Sequence, residues 1–145
     1  TAYLIHDEVI YQKAMLMQAS NAWNLLGIRL ADAGKGWASM VLPFDQKLLQ
    51  NAGRVHGGFL ATLIDSAVAG ALYPLLNEGE SMTTADLKVN YLRPAVANDL
   101  LAVAKIRHRG RTTALGESTI WDQGTGKEVA FGIALYMILS PGTRS

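Results

Sequence analysis

Between His56 and about Leu76 the sequence is apolar on every helical face, and a helix of that kind must be covered on all sides by the rest of its chain. Thr62, Asp65 and Ser66 interrupt the run, whereas a membrane span wants roughly 20 mostly apolar residues. A buried helix of a soluble protein is the expected outcome. The 145 residues suffice to build that cover, and one domain over 1–145 is expected.

The flanking segments supply it. Residues Asp7 to about Asn24 are rich in good helix formers, with Asp7 placed as a cap, and predict one helix. Leu26–Leu30 and Trp37–Pro43 predict two strands joined across Ala33-Gly34-Lys35-Gly36. After Gly79 the apolar period becomes two, which predicts four strands in an antiparallel meander: Met82–Arg93, Leu100–Arg109, Thr112–Asp122 and Lys127–Leu139. Gly124-Thr125-Gly126-Lys127 lacks the spacing of a phosphate-binding loop and precedes a strand, so it reads as a hairpin turn. Six strands and a central helix predict an α+β fold in which a curved antiparallel sheet wraps a long helix.

Charge and composition exclude several functions. Thirteen Lys and Arg against twelve Asp and Glu give a net charge of +1, which supplies no bulk attraction to nucleic acid or to an anionic membrane. The chain has no Cys, so thiolate catalysis, disulfides and the common structural zinc sites are excluded. No basic segment followed by an apolar one marks the first residues, and a cytoplasmic location is expected.

Asp65 does not fit its place, because an unpaired carboxylate in an apolar helix costs several kcal/mol or protonates. It either bonds a backbone group, lies on a wet stripe with Thr62, or serves as a general base or nucleophile facing a cleft. His56-Gly57-Gly58 stands at the N-terminus of the same helix, where free N–H groups and the positive dipole end could stabilise a carbonyl oxygen gaining negative charge. Gly57 and Asp65 are eight positions apart, which is about 12 Å along a helix. If both act on one substrate, the simplest arrangement is a two-fold dimer with Gly57 from one chain and Asp65 from the other.

Residues Gly53-Arg54-Val55-His56-Gly57-Gly58, continued by Leu63, Asp65 and Ala67, resemble the signature G-x-x-H-G-G-x-x-x-x-L-x-D-x-A. That signature belongs to hotdog-fold acyl-CoA thioesterases of the phenylacetyl-CoA and 4-hydroxybenzoyl-CoA branch. Leu26–Leu30 before it and Asn90–Ala95 after it extend the resemblance. The resemblance implies side-by-side dimers, often paired into tetramers, with sites at the dimer interface and no metal or organic cofactor. It also implies Asp65 as base or nucleophile, the Gly57 N–H as carbonyl polariser, and His56 as the residue that shapes the site. Thr84, with Thr83 beside it, matches the hydroxyl that positions water. The branch usually has Asn three residues before the loop glycine, where this chain has Gln50, with Asn51 next; Gln50 offers the same amide groups.

An acyl-CoA or aryl-CoA substrate needs cations for its phosphates. Lys105, Arg107 and Arg109 are expected on one strand face, with Arg111 past the turn and Arg93 ending the preceding strand. Gly58 is expected to touch substrate, and Phe59, Leu63, Tyr91 or Trp37 to line the acyl pocket. The alternative on the same fold is a non-catalytic module that binds or senses acyl-CoA.

Overall fold

The computed structural model describes residues 4–142. Its centre is a helix, Gly57–Leu72 (α3), extended by a 3-10 turn, Tyr73–Leu75. Six strands surround it: Arg29–Gly34 (β1), Trp37–Leu42 (β2), Ser81–Tyr91 (β3), Leu100–Arg109 (β4), Thr113–Asp122 (β5) and Glu128–Leu139 (β6). They form one antiparallel sheet in the order β1-β2-β4-β5-β6-β3. This is the hotdog arrangement that the resemblance implies.

Close packing of helix on sheet follows from small residues on both. Side chains added at Gly116 or Gly132 would run into Val68 or Ile64 of α3, and one at Gly70 would meet Ala38 and Met40 of β2. Leu63, Ile64, Val68 and Leu72 are fully enclosed, each contributing about 1.5–3 kcal/mol by burial. The segment Gly57–Leu75 has the length and hydropathy of a membrane span, yet 56% of its apolar window is buried inside this fold. Burial is incomplete on one side. Gly58, Ala61, Thr62 and Asp65 recur at helical spacing and are left partly or fully open, so the helix is not covered on all sides as expected.

Three other expectations change. The first helix is broken: Glu8–Met15 (α1) gives way to a 3-10 turn, Leu16–Ala19, and then to Asn21–Leu26 (α2). Ser20 caps α2 by accepting from the Trp23 N–H, and the Gln18 side chain bonds the Ile28 carbonyl and the Leu30 N–H, turning the chain toward β1. Gly27 then ends α2 at φ +76°, so the first strand begins at Arg29 rather than Leu26. In the β1–β2 turn only Gly36, at φ +74°, uses the left-handed region; Gly34 is still in the strand. The last four strands are not a simple meander. β4, β5 and β6 follow one another, but β3 crosses to the far edge and pairs with β6, because period-two alternation specifies a strand's faces and not its neighbour.

Candidate active site

The segment before α3 is tied down by its backbone. Val55 donates to the Ala95 carbonyl at 2.8 Å and His56 to the Leu48 carbonyl at 2.9 Å, while Gln50 donates to the Arg54 carbonyl at 2.7 Å. Gly53, at φ +82°, closes the loop between Gln50 and Arg54. The Gln50 side-chain oxygen folds back onto the Ala52 N–H, leaving its amide donors available beside a cleft.

His56 caps α3. Its Nδ1 accepts from the Gly58 N–H at 3.0 Å, so the neutral ring carries its proton on Nε2, and the ring leans on Phe59. Gly58 N–H is thereby spent on the cap and is not free for substrate. Among the described residues nothing accepts from the Gly57 N–H, which leaves an unpaired donor at the positive end of α3. Tyr91 lies against Gly57: a side chain there would come within 3.3 Å of the phenol ring, and the Tyr91 hydroxyl donates to the Gly57 carbonyl at 2.8 Å.

Gly57 opens into a cleft of about 420 Å³, lined also by Gln50, Arg54, Leu60, Tyr91 and Arg93. Arg93 donates to the Glu128 carbonyl at 2.7 Å. Arg54 had no role in the sequence reading, although its position within the Gly53–Gly58 loop signals it. Asn51 sits in the exposed turn and does not reach the cleft.

Asp65 lies two turns further along α3, on the open stripe. Thr84 and Tyr136 are directly paired across β3 and β6 and both turn toward it. Thr84 Oγ1 stands 3.0 and 3.2 Å from the two carboxylate oxygens, and the Tyr136 hydroxyl donates to Oδ1 at 2.5 Å. Burial first, and the negative charge of Asp65 second, push ionisation of the Tyr136 phenol far above its ordinary value of 10. Thr83 pairs with Met137 on the opposite face, so only Thr84 meets Asp65. The alternation that signals β6 gave no sign of Tyr136 as a partner, since the residue is 71 positions from Asp65.

The expected basic face does not form. A bulge between Ile106 and His108 adds a residue to β4 and reverses the alternation beyond it. Arg109 therefore shares the inner face with Ala114, where it pairs with Glu80 at 2.5 Å, with side chains only 19% and 12% exposed. Arg107 stays outside, 3.5 Å from Glu117, and Arg111 is exposed in the following turn. None of the three lines the cleft. Leu63 is core, and the Trp37 indole is buried and donates to the Ile5 carbonyl.

Comparison with known proteins identifies the family and supports the fold. Residues 52–129 match the family described as the thioesterase superfamily. Acyl-coenzyme A thioesterase PaaI of Escherichia coli is 30% identical, with 78% of this chain and 80% of that one aligned. Human acyl-coenzyme A thioesterase 13 is also 30% identical, over 83% and 86%. A crystal structure of a thioesterase family protein from Silicibacter pomeroyi, 28% identical, superposes with a TM-score of 0.83 over 89% of this chain and 97% of that one. With the signature helix inside the matched residues and nearly nine-tenths of the chain superposable, this chain belongs to the thioesterase superfamily and is an enzyme of the hotdog fold.

Proposed function

We propose that the protein hydrolyses an acyl-CoA or aryl-CoA thioester to the free acid and CoA, using Asp65 of one chain and the Gly57 N–H of a second copy. The observation that carries this reading is the Asp65 carboxylate. It is the sole ionisable group on α3, is left partly open, and is bonded by Thr84. The unpaired Gly57 N–H supports the other half, as a donor waiting for the oxygen of a thioester carbonyl.

Reach supports a second copy. Gly57 and Asp65 stand eight positions apart on continuous helix, so the groups stay about 12 Å apart along its axis. The open stripe on α3 and the unpaired edge of β3 adjoin one another and support self-association there, as a dimer or a dimer of dimers.

In one form of the reaction Asp65 takes a proton from water as its oxygen attacks the carbonyl carbon; the Gly57 N–H holds the oxyanion, and collapse expels the CoA thiolate, which regains the proton. In the other Asp65 attacks the carbonyl carbon directly and the C–S bond breaks to expel the CoA thiolate; water then cleaves the mixed anhydride, releasing the acid, returning the Asp65 carboxylate and supplying the proton the thiolate takes up. Neither route uses a metal or organic cofactor, so activity should survive chelation by EDTA. Arg54 and Arg93, both on the Gly57 cleft, are assigned to the CoA phosphates. Gln50 is assigned to orienting water or carbonyl, with Thr84 holding the carboxylate.

Thiol release from hexanoyl-, palmitoyl- and phenylacetyl-CoA tests the reading. Asp65→Asn should lose turnover by orders of magnitude; a variant that keeps it would sink the assignment. Chains carrying Asp65→Asn and chains carrying Gly57→Leu, inactive alone, should regain about a quarter of native activity when refolded together, because mixed dimers rebuild one intact site. Binding of all three thioesters without cleavage would instead indicate a sensing module.

A further inference from the structure

We propose that Tyr136 is a positioning residue that selects which oxygen of Asp65 reacts, by holding Oδ1 and leaving Oδ2 for chemistry. The inference rests on the reading of Asp65 as the reactive carboxylate. Thr84 alone cannot make the selection, since its hydroxyl spans both oxygens at 3.0 and 3.2 Å. The Tyr136 hydroxyl does discriminate: it lies 2.5 Å from Oδ1 and 3.0 Å from the Asp65 main-chain oxygen. A phenol has a single proton, and the shorter, charge-assisted bond takes it. Only 4% of Tyr136 is exposed, so water does not compete for that proton.

The phenol stays protonated at any working pH, because burial and the adjacent carboxylate both oppose its ionisation. It is therefore a permanent donor rather than a proton shuttle. Among the described residues no Lys, Arg or His side chain bonds Asp65. Arg109, on the inner face of β4, is taken by Glu80, and Asp32 of β1 by His6. Asp86 and Lys88 of β3 pair with Leu135 and Ile133 on the far face. Among the described residues the Asp65 carboxylate is thus held by two side-chain hydroxyls alone, one of them directional.

Losing the phenol frees Oδ1 to compete with Oδ2, so turnover must fall while substrate binding stays. The experiment uses the full chain and whichever of hexanoyl-, palmitoyl- and phenylacetyl-CoA is cleaved fastest. Tyr136→Phe should lower kcat about tenfold and leave KM within about twofold. Replacing Tyr136 by 4-fluorophenylalanine, which keeps nearly the same shape and loses the donor, should do the same; this variant carries the test if the Phe variant folds poorly. A kcat retained in both, with only the melting temperature lowered, would overturn the positioning role while leaving Asp65 in place, provided that Asp65→Asn is inactive. Hydrolysis retained by Asp65→Asn would overturn both readings together.

Discussion

The Tyr91 hydroxyl donates to the Gly57 carbonyl at 2.8 Å, and the same ring would stand 3.3 Å from a side chain at Gly57. The first turn of α3 and the last residue of β3 are thereby joined at the mouth of the cleft. One residue's N–H is left free while its carbonyl is occupied. Tyr91 fills the space beside Gly57, which is why glycine is needed there even though its backbone is helical.

Gly57→Ala should push Tyr91 aside without disturbing α3, since alanine is a good helix former. We expect kcat/KM to fall about ten- to a hundredfold. The melting temperature should move by less than about 2 °C, in line with a sub-kcal/mol change in stability. Steady-state kinetics and thermal denaturation followed by circular dichroism check the two halves separately.

Arg54 and Arg93 differ in what else they do, and the difference makes Arg54 the cleaner probe. Arg93 also donates to the Glu128 carbonyl, whereas Arg54 is exposed on the cleft with no such bond among the described residues. Arg54→Gln should raise KM for an acyl-CoA about five- to tenfold with kcat retained. The corresponding N-acetylcysteamine thioester, which has no phosphates, should show no change.

The Arg109–Glu80 pair is an ion pair inside the fold. Glu80→Leu leaves a guanidinium poorly solvated beneath the sheet, and with both side chains more than four-fifths buried the cost should be about 2–3 kcal/mol. Adding Arg109→Met should recover much of that loss. Urea denaturation of the two single variants and the double variant gives the coupling directly.

His6 joins Asp32 at 2.5 Å and Glu8 at 2.8 Å, and these hydrogen bonds, Asp32 first, raise its pKa above the ordinary 6.5. The sign follows from linkage: the folded state favours the imidazolium. The contribution is fully present below the unfolded value and is lost as pH rises through the raised folded value. Exchange of the Asp7 amide, which donates to the Ala33 carbonyl at 3.1 Å, should therefore quicken on going from pH 6 to 8 beyond its intrinsic base dependence. His6→Gln should remove that excess, as amide exchange measured by NMR would show.

Much of the candidate site is legible in the chain itself. Asp65 announces itself because a lone carboxylate in an apolar helix needs a reason, and His56-Gly57-Gly58 because donors there have no local use but a cap or a ligand. What escaped depends on partners distant in sequence. Tyr136 is one more inward residue of an alternating strand until β3 is seen beside β6, where Thr84 faces it. Arg109 reads as the third cation of a stripe, and a single bulged residue sends it to the opposite face. The break at Ser20 was missed for a different reason. Helix propensity outweighed a capping serine whose effect depends on the Gln18 side chain holding the backbone of Ile28 and Leu30.

The position of β3 at the sheet edge also orders the molecule's assembly. Its one partner in the sheet is β6, and β4 and β5 must be synthesised between them. During translation β3 leaves the ribosome with nothing to pair to, while β4 and β5 can already zip into a hairpin. The closure of β3 on β6 spans the intervening strands and, like the pairing of β2 with β4, is non-local. Thr84 rides on one of those strands and Tyr136 on the other, so the Asp65 cluster is completed when they meet. The Asp65 carboxylate acquires its neighbours only once β6 has been made and has closed on β3, which ties completion of that cluster to the end of the chain's synthesis.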